Sequence, residues 1–572
     1  TPTTMHPKRK HNFRSRLFLT VSITTIMAIG INSPLLQRPA AQVKAGRSVV
    51  RAQHGMVATS QPLASQVGLE VLKRGGNAVD AAIAMAAVLN VTEPMMTGVG
   101  GDMFAIVYWA KTKELKGLNA SGRAPHALSL DYFAKNNIKR MPEFGMTSIT
   151  VPGAVDGWTT LRDKYGTMKL ADLLAPAIGY AENGFPVMEK AAENWNAEVQ
   201  KLKRTPAAAS NYLIDGRAPR PGEIFRQPNL ARTLRTIADG GRDAFYKGPI
   251  AKAIVDYMKD NGGFITMEDL AATRADWVEP ISTNYRGYQV YELPPNGQGI
   301  TALIALNILE GFDLGAMRSQ PAQYYHTMIE AMKLAFADRN RYIADPTFSK
   351  VPVAELLSKD YAAKRRALID PRKALDNPPS GDINLGSDTT YFTVVDKDGN
   401  AVSFINSLFD AFGSGVVAGD TGIVFQNRGS AFSLDPKHPN AIAPGKRPFH
   451  TLIPAMVMKD NQLFMSFGVM GGAIQAQGHV QVLVNLIDLK MGLQEAIDAP
   501  RYRFTSGRSV LLEDELGSSV IEQLLSMGHV RGKPPGVLRS SMGGGQAIMI
   551  DPVSKTLMGA SDPRKDGMAL GY

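Results

Sequence analysis

Apolar positions recur along this chain first at helical spacing and later in alternation, and the change of period falls near residue 389. In "PLASQVGLEVLKRGG" (62–76) they fit one face of a helix, and Gly75-Gly76 supplies a C-terminal stop. "NAVDAAIAMAAVLNVTEP" (77–94) is Ala-rich and apolar all round, which predicts a buried helix. "GVGGDMFAIVYWA" (98–110) reads as a glycine turn running into a strand. Residues 47 to about 110 therefore predict helix, helix, strand. The glycines lack the spacing of a dinucleotide fingerprint, so tight-turn geometry explains them better than a phosphate.

The middle third predicts helices joined by loops. "HTMIEAMKLAFADRNRYIADP" (326–346) puts Met328, Met332 and Ala335 on one helical face, where methionine serves as core filler. "YQVYELPP" is a strand ended by Pro294-Pro295, and "NGQGITALIALNIL" starts another buried helix. Residues 368–388, "LIDPRKALDNPPSGDINLGSD", are rich in turn formers and read as a linker. Beyond it, "TTYFTVVD" and "AVSFINSLF" flank the hairpin signal "KDGN". "FMSFGVMGG" is a strand ending in paired glycines, followed by the helix "AIQAQGHVQVLVNLIDL".

The first residues stand apart from this pattern. A basic stretch, Lys8 to Arg16, precedes an apolar run from Leu17 to Ile31 and then small residues. Residues 1–46 read as a secretory signal peptide and leader, with an uncleaved anchor as the alternative, although the run is short for a span. The expectation is a periplasmic or secreted protein with no membrane association once the leader is removed. Lys8, Arg9, Lys10, Arg14 and Arg16 alone carry five of the +11 net charges, and the rest are scattered, so nucleic acid is not an expected partner. The chain has no cysteine, which excludes disulfides, thiolate metal sites and a Cys nucleophile. Its nine histidines show no metal-ligand spacing, and no P-loop, zinc motif or serine elbow is present, so neither metal nor cofactor is expected.

Thr389 and Thr390 stand side by side where the linker meets the strands, and β-propensity alone makes both of them strand residues. The surrounding blocks change that reading. "GGNAVDAAIA", "MTGVGGDMF", "VPGAVDGW", "EAMKLAFADRNRYIADP", "DTTYFTVVDKDGNAVS", "FGSGVVAGDTGIVFQN", "GKRP" and "GASDPRKDGMALGY" occur in one order over residues 47–572. In them the chain resembles the γ-glutamyltranspeptidase family of N-terminal nucleophile hydrolases.

The resemblance implies an α+β fold, a four-layer αββα sandwich. It implies self-cleavage between Asp388 and Thr389, giving a large subunit (47–388) and a small one (389–572) from one precursor. Thr389 would then be nucleophile and, through its α-amino group, its own base, because that amine titrates near neutrality. Gly471 and Gly472 would form the oxyanion hole, and Ser407 would take the place of a second Thr that hydrogen-bonds the nucleophile.

The chain departs from the family at the substrate. Ser121 stands where an Arg holds the γ-glutamyl carboxylate, and Arg123, two residues on, shares its face in an extended strand. Phe409 replaces an Asn, Arg428 and Ala431 replace a Gln and an Asp, and His450 and Thr451 replace paired serines. Arg123, Arg428, His450 and Thr451 are thus the candidate substrate-binding residues, and the stretch 432–448 is short for a lid. The expected partner is a small-molecule amide: a γ-glutamyl compound such as glutathione, or a related anionic acyl amide. The alternatives are a glutaryl (cephalosporin) acylase or oxamate-type amidohydrolase, and a catalytically silent binding protein on the same fold.

Overall fold

The computed structural model describes residues 46–376, 388–533 and 541–572, and of Asp388 the backbone only. The leader and most of the expected linker (377–387) fall outside the described residues. Among the described residues, no helix is long and apolar enough to cross a membrane.

Two seven-stranded sheets form the centre. In chain order their strands are β1 (Val50–Ala52), β2 (Met56–Thr59), β3 (Asp102–Trp109), β4 (Glu114–Ala120), β5 (Asp276–Val278), β6 (Ile281–Tyr285) and β7 (Tyr288–Glu292). They continue with β8 (Asp388–Val395), β9 (Ala401–Phe409), β10 (Ala455–Lys459), β11 (Gln462–Met470), β12 (Gly544–Ile550), β13 (Leu557–Ser561) and β14 (Met568–Gly571). One sheet runs β14-β2-β8-β9-β3-β4-β5 and the other β1-β13-β12-β11-β10-β7-β6, antiparallel throughout.

Strand alternation builds the layers. Along β8, Tyr391 and Val395 join the apolar cluster between the sheets, while Phe392 and Val394 face the helices. Along β9, Ile405 faces inward between the sheets and Phe404 outward, where it stacks on Phe392 at 4.6 Å. The outer face of this sheet is covered by α1 (Pro62–Lys73), α2 (Ala78–Thr92), α3 (Ala154–Tyr165), α4 (Leu170–Asn183) and α5 (Pro228–Tyr246). The second sheet is covered by α6 (Gly299–Leu309), α7 (Pro321–Tyr342) and α8 (Ile474–Ile487). This is the αββα arrangement, and the three apolar layers it creates are its main source of stability.

The expected helices at 62–76, 77–94, 296–309, 326–346 and 473–489 and the hairpin around residues 397–400 are all present. Residues 47–61 differ: they form β1 and β2 before the first helix. These strands have three and four residues, too few for alternation to register.

The two sheets are in register where it matters. Thr393 Oγ1 meets Ser466 Oγ at 2.6 Å, and two residues further along each strand the Tyr391 ring lies against Gly468, where a Cβ would come within 2.4 Å. Thr389 stands two residues beyond Tyr391 on β8, and Met470, with the glycine pair after it, two residues beyond Gly468 on β11. One end of the inter-sheet layer thus collects the start of β8, the ends of β9 and β11, and the start of β3.

Candidate active site

Thr389 is almost fully buried at that end, and its Oγ1 lies 3.2 Å from Ser407 Oγ on the neighbouring strand. Phe409 N–H donates to Ser407 Oγ at 2.8 Å, and Arg428 Nη2 donates to it at 3.3 Å. Either hydroxyl can donate in the bond between Ser407 and Thr389. Phe409 reaches this position with φ 83°, a strained value for a non-glycine residue that clusters at functional sites. The glycine turn before β3 makes room for the strand end: a Cβ on Gly101 would lie 2.3 Å from the Ser407 carbonyl oxygen.

Arg428 is fully buried on a short 3-10 turn (Arg428–Ala431). Its guanidinium lies over the Phe409 ring at 4.0 Å, and Nη1 donates to Thr451 Oγ1 at 2.8 Å. Its Nε has no hydrogen-bond partner, and among the described residues no carboxylate lies within ion-pair distance of the guanidinium. Burial pulls its pKa down to about 9, opposed by the charges of Asp102 and Asp410. A buried, incompletely satisfied cation beside Ser407 is a ready partner for an anion.

Asp102 forms the wall behind it. It is the register partner of Ser407 across β3 and β9. Oδ1 accepts from Gly122 N (2.8 Å), Gly153 N (3.3 Å) and Gln426 Nε2 (2.8 Å), and Oδ2 accepts from His450 Nε2 (3.1 Å). Leu452 N donates to His450 Nδ1 at 3.2 Å, so the ring carries its proton on Nε2 and both nitrogens are used by the protein. Burial and the nearby Arg428 push the His450 pKa down to about 3. His450 therefore has no ring nitrogen left for a substrate, and its place is in the wall.

Gly471 and Gly472 have φ 119° and 67°, values that favour glycine, and they turn the chain from β11 into α8. Among the described residues neither N–H meets an acceptor. Free N–H groups before a helix start suit a developing oxyanion.

The other expected residues sort as follows. Thr451 joins the cluster as the acceptor for Arg428. Arg123 turns toward Asp276 (3.7 Å), Asp345 (3.9 Å) and the Gly445 carbonyl (3.2 Å), so its charge is already paired. Ser121, in the place of the family's Arg, hydrogen-bonds Asn119 and Asn296. Thr390 faces the opposite side of the sheet and donates to Glu93 Oε2 at 3.0 Å, away from the Thr389–Ser407 pair. The stretch 432–448 is a clamped loop held by the buried Asn440, which donates to the Ala431 carbonyl and accepts from Phe449 N.

Sequence reasoning missed Asp102, Gln298 and Gln426. Asp102 directly follows the glycine turn, and a buried acid opening a strand was the available signal. Elsewhere, His326, Glu330 and His529 bring potential metal-ligand atoms within 4.8 Å, but the Lys333 ammonium lies 2.8 Å from Glu330 Oε1 in that group. The two histidines bond each other at 2.9 Å, so the group is a hydrogen-bonded ion-pair cluster.

Comparison with known proteins fits this geometry. The family model for gamma-glutamyltranspeptidase matches residues 64–572. The glutathione hydrolase-like YwrD proenzyme of Bacillus subtilis is 42% identical, over 90% of this chain and 98% of its own length. The oxamate amidohydrolase proenzyme of Klebsiella pneumoniae is 38% identical, over 91% of this chain and 98% of its own. The crystal structure of cephalosporin acylase from Bacillus halodurans superposes with a TM-score of 0.87 at 44% identity, covering 94% of this chain and 99% of that one. The chain belongs to the gamma-glutamyltranspeptidase family and is one of its amide hydrolases.

Proposed function

We propose that the protein is a self-processing N-terminal-threonine amidohydrolase whose acyl substrate carries a carboxylate. Thr389 Oγ1 attacks the Asp388 carbonyl, and hydrolysis of the resulting ester leaves Thr389 as a chain terminus. Its freed α-amino group then takes the hydroxyl proton as Oγ1 attacks the substrate amide. The amine product leaves with that proton, and water releases the acyl group from Thr389. Gly471 and Gly472 N–H hold the oxyanion in both half-reactions. Ser407 steadies Oγ1, and Thr451 anchors Arg428.

The observation that carries the reading is Arg428: a buried cation without a carboxylate partner among the described residues, one side chain away from the nucleophile. It supports glutaryl- or oxamate-type acyl groups, since Ala431 offers no counter-ion for an α-ammonium. A second reading, γ-glutamyl amides, is favoured by Asp410, whose charge is felt by Arg428 and whose carboxylate Asn427 holds at 2.6 Å. There Asp410 would take the ammonium.

Purified protein should run as two chains on a denaturing gel, the smaller beginning at Thr389, and Thr389→Ala should stay as one. A panel of acyl anilides then ranks the readings. Faster turnover of glutaryl than of γ-glutamyl anilide is expected. The reverse order, lost selectively in Asp410→Asn, establishes the second reading. Wild-type protein that stays whole and inactive would return the chain to a binding role.

A further inference from the structure

Gln298 and Arg339 touch neither Thr389 nor Ser407, yet both are buried directly behind the glycine turn. Gln298 stands at the start of α6, and its backbone N–H donates to the His450 carbonyl at 2.9 Å. Its side-chain NH2 donates to the Thr451 carbonyl (2.9 Å) and to the Gly472 carbonyl (3.0 Å), while Oε1 accepts from Arg339 Nη1 (3.0 Å). A flipped amide would face its oxygen to two carbonyls and its NH2 to a guanidinium, so only one orientation satisfies these partners. Gln298 thereby ties the segment that anchors Arg428 to the turn that carries the oxyanion donors.

Arg339 is costly for a purely structural group. Its Nε and Nη2 both donate to Asn340 Oδ1, at 3.0 and 2.8 Å, and its plane lies over Phe336 at 4.0 Å. Among the described residues no carboxylate pairs with it, and burial lowers its pKa to about 9. Burying an unpaired cation is unfavourable, and a neutral amide donor would hold Gln298 Oε1 equally well. What a neutral group would not supply is charge. From Arg339 the dipoles of the Gln298 amide and the Gly472 carbonyl line up head to tail, each polarising the next.

We propose that Arg339 and Gln298 are a positioning pair for acyl transfer, holding the Gly471–Gly472 turn with its N–H groups outward and placing a positive charge behind the developing oxyanion. The inference rests on Thr389 being the nucleophile, and wild-type cleavage and turnover test that point separately.

The experiment compares Gln298→Met, Arg339→Met and Arg339→Lys in the processed, full-length protein, on the best anilide of the panel. Both methionine variants should lower kcat by about 10²-fold with KM within threefold, the signature of an interaction made in the transition state. The double variant should lose little more than either single one, and Arg339→Lys should recover most of the rate. If kcat of a folded methionine variant stays within threefold of wild type, or KM rises while kcat holds, the pair has no such role. Should Arg339→Met fail to fold, Gln298→Met with Arg339→Lys decides: a normal kcat in Gln298→Met overturns the proposal, and a fall in Gln298→Met but not in Arg339→Lys supports it.

Discussion

Asp102 and Ser407 sit opposite each other on neighbouring strands, and the carboxylate of Asp102 is wholly engaged by Gly122, Gly153, Gln426 and His450. This acid opposite Ser407 is thus committed to holding three chain segments and one ring in place. Its negative charge also sits where it offsets Arg428. Asp102→Ala removes the acceptor for four buried donors. We expect it to cost about 3–5 kcal/mol of stability, measured by denaturant unfolding, because such donors are left unpaired.

Ser407 divides the labour of the site at one oxygen. Ser407→Ala keeps the volume nearly unchanged and removes the hydroxyl that faces Thr389. Turnover should fall about 10²-fold, and Ser407→Thr should retain most activity, since the same hydroxyl is kept. Steady-state kinetics on the preferred anilide, with mass spectrometry to follow the appearance of the small chain, checks both.

Arg428 predicts a charge preference. Arg428→Met should raise KM about 10²-fold for an acyl group with a distal carboxylate and much less for its methyl ester, since a buried charge-assisted contact is lost only with the anion. Equal losses on acid and ester would mean that Arg428 serves Ser407 and Thr451 alone.

His450 and His529 predict the acid limb of stability. Burial holds both rings neutral, with pKa values pushed down to about 3, whereas a histidine in the unfolded chain titrates near 6.5. Between those values the unfolded chain takes up more protons, so this stability is complete above pH 6.5 and declines as the pH falls toward 3. Each ring contributes a slope of up to about 1.4 kcal/mol per pH unit. His450→Gln should flatten the fall by one proton's worth, read from unfolding curves at pH 4.5 to 7.

Particular residues show how far the sequence carried. Thr389, Ser407 and the glycine pair became candidates through the blocks that resemble the family, and the geometry unites Thr389 with Ser407. Arg428 stood out as a charge in the wrong place, and it does reach the cluster. Arg123 was placed by strand alternation, but β4 ends at Ala120, and its guanidinium meets Asp276 and Asp345, distant in sequence. His450 misled for the same reason, since Asp102 lies far upstream of it. Gln298 and Arg339 went unread as site residues, although Arg339 stands in the block 330–346, because helical spacing alone marks neither of them. Their meaning comes from α6 and α7 meeting behind the turn.

The interleaved order of the sheets has a consequence for the processed enzyme. Strands β2 to β5 precede residue 388, while β8, β9 and β14 follow it, and they alternate within one sheet. The other sheet mixes β1, β6 and β7 with β10 to β13 in the same way. A cut at Asp388–Thr389 thus makes a nick in a continuous weave. Dilution has no seam along which to part the two products, and separating them would mean unravelling both sheets.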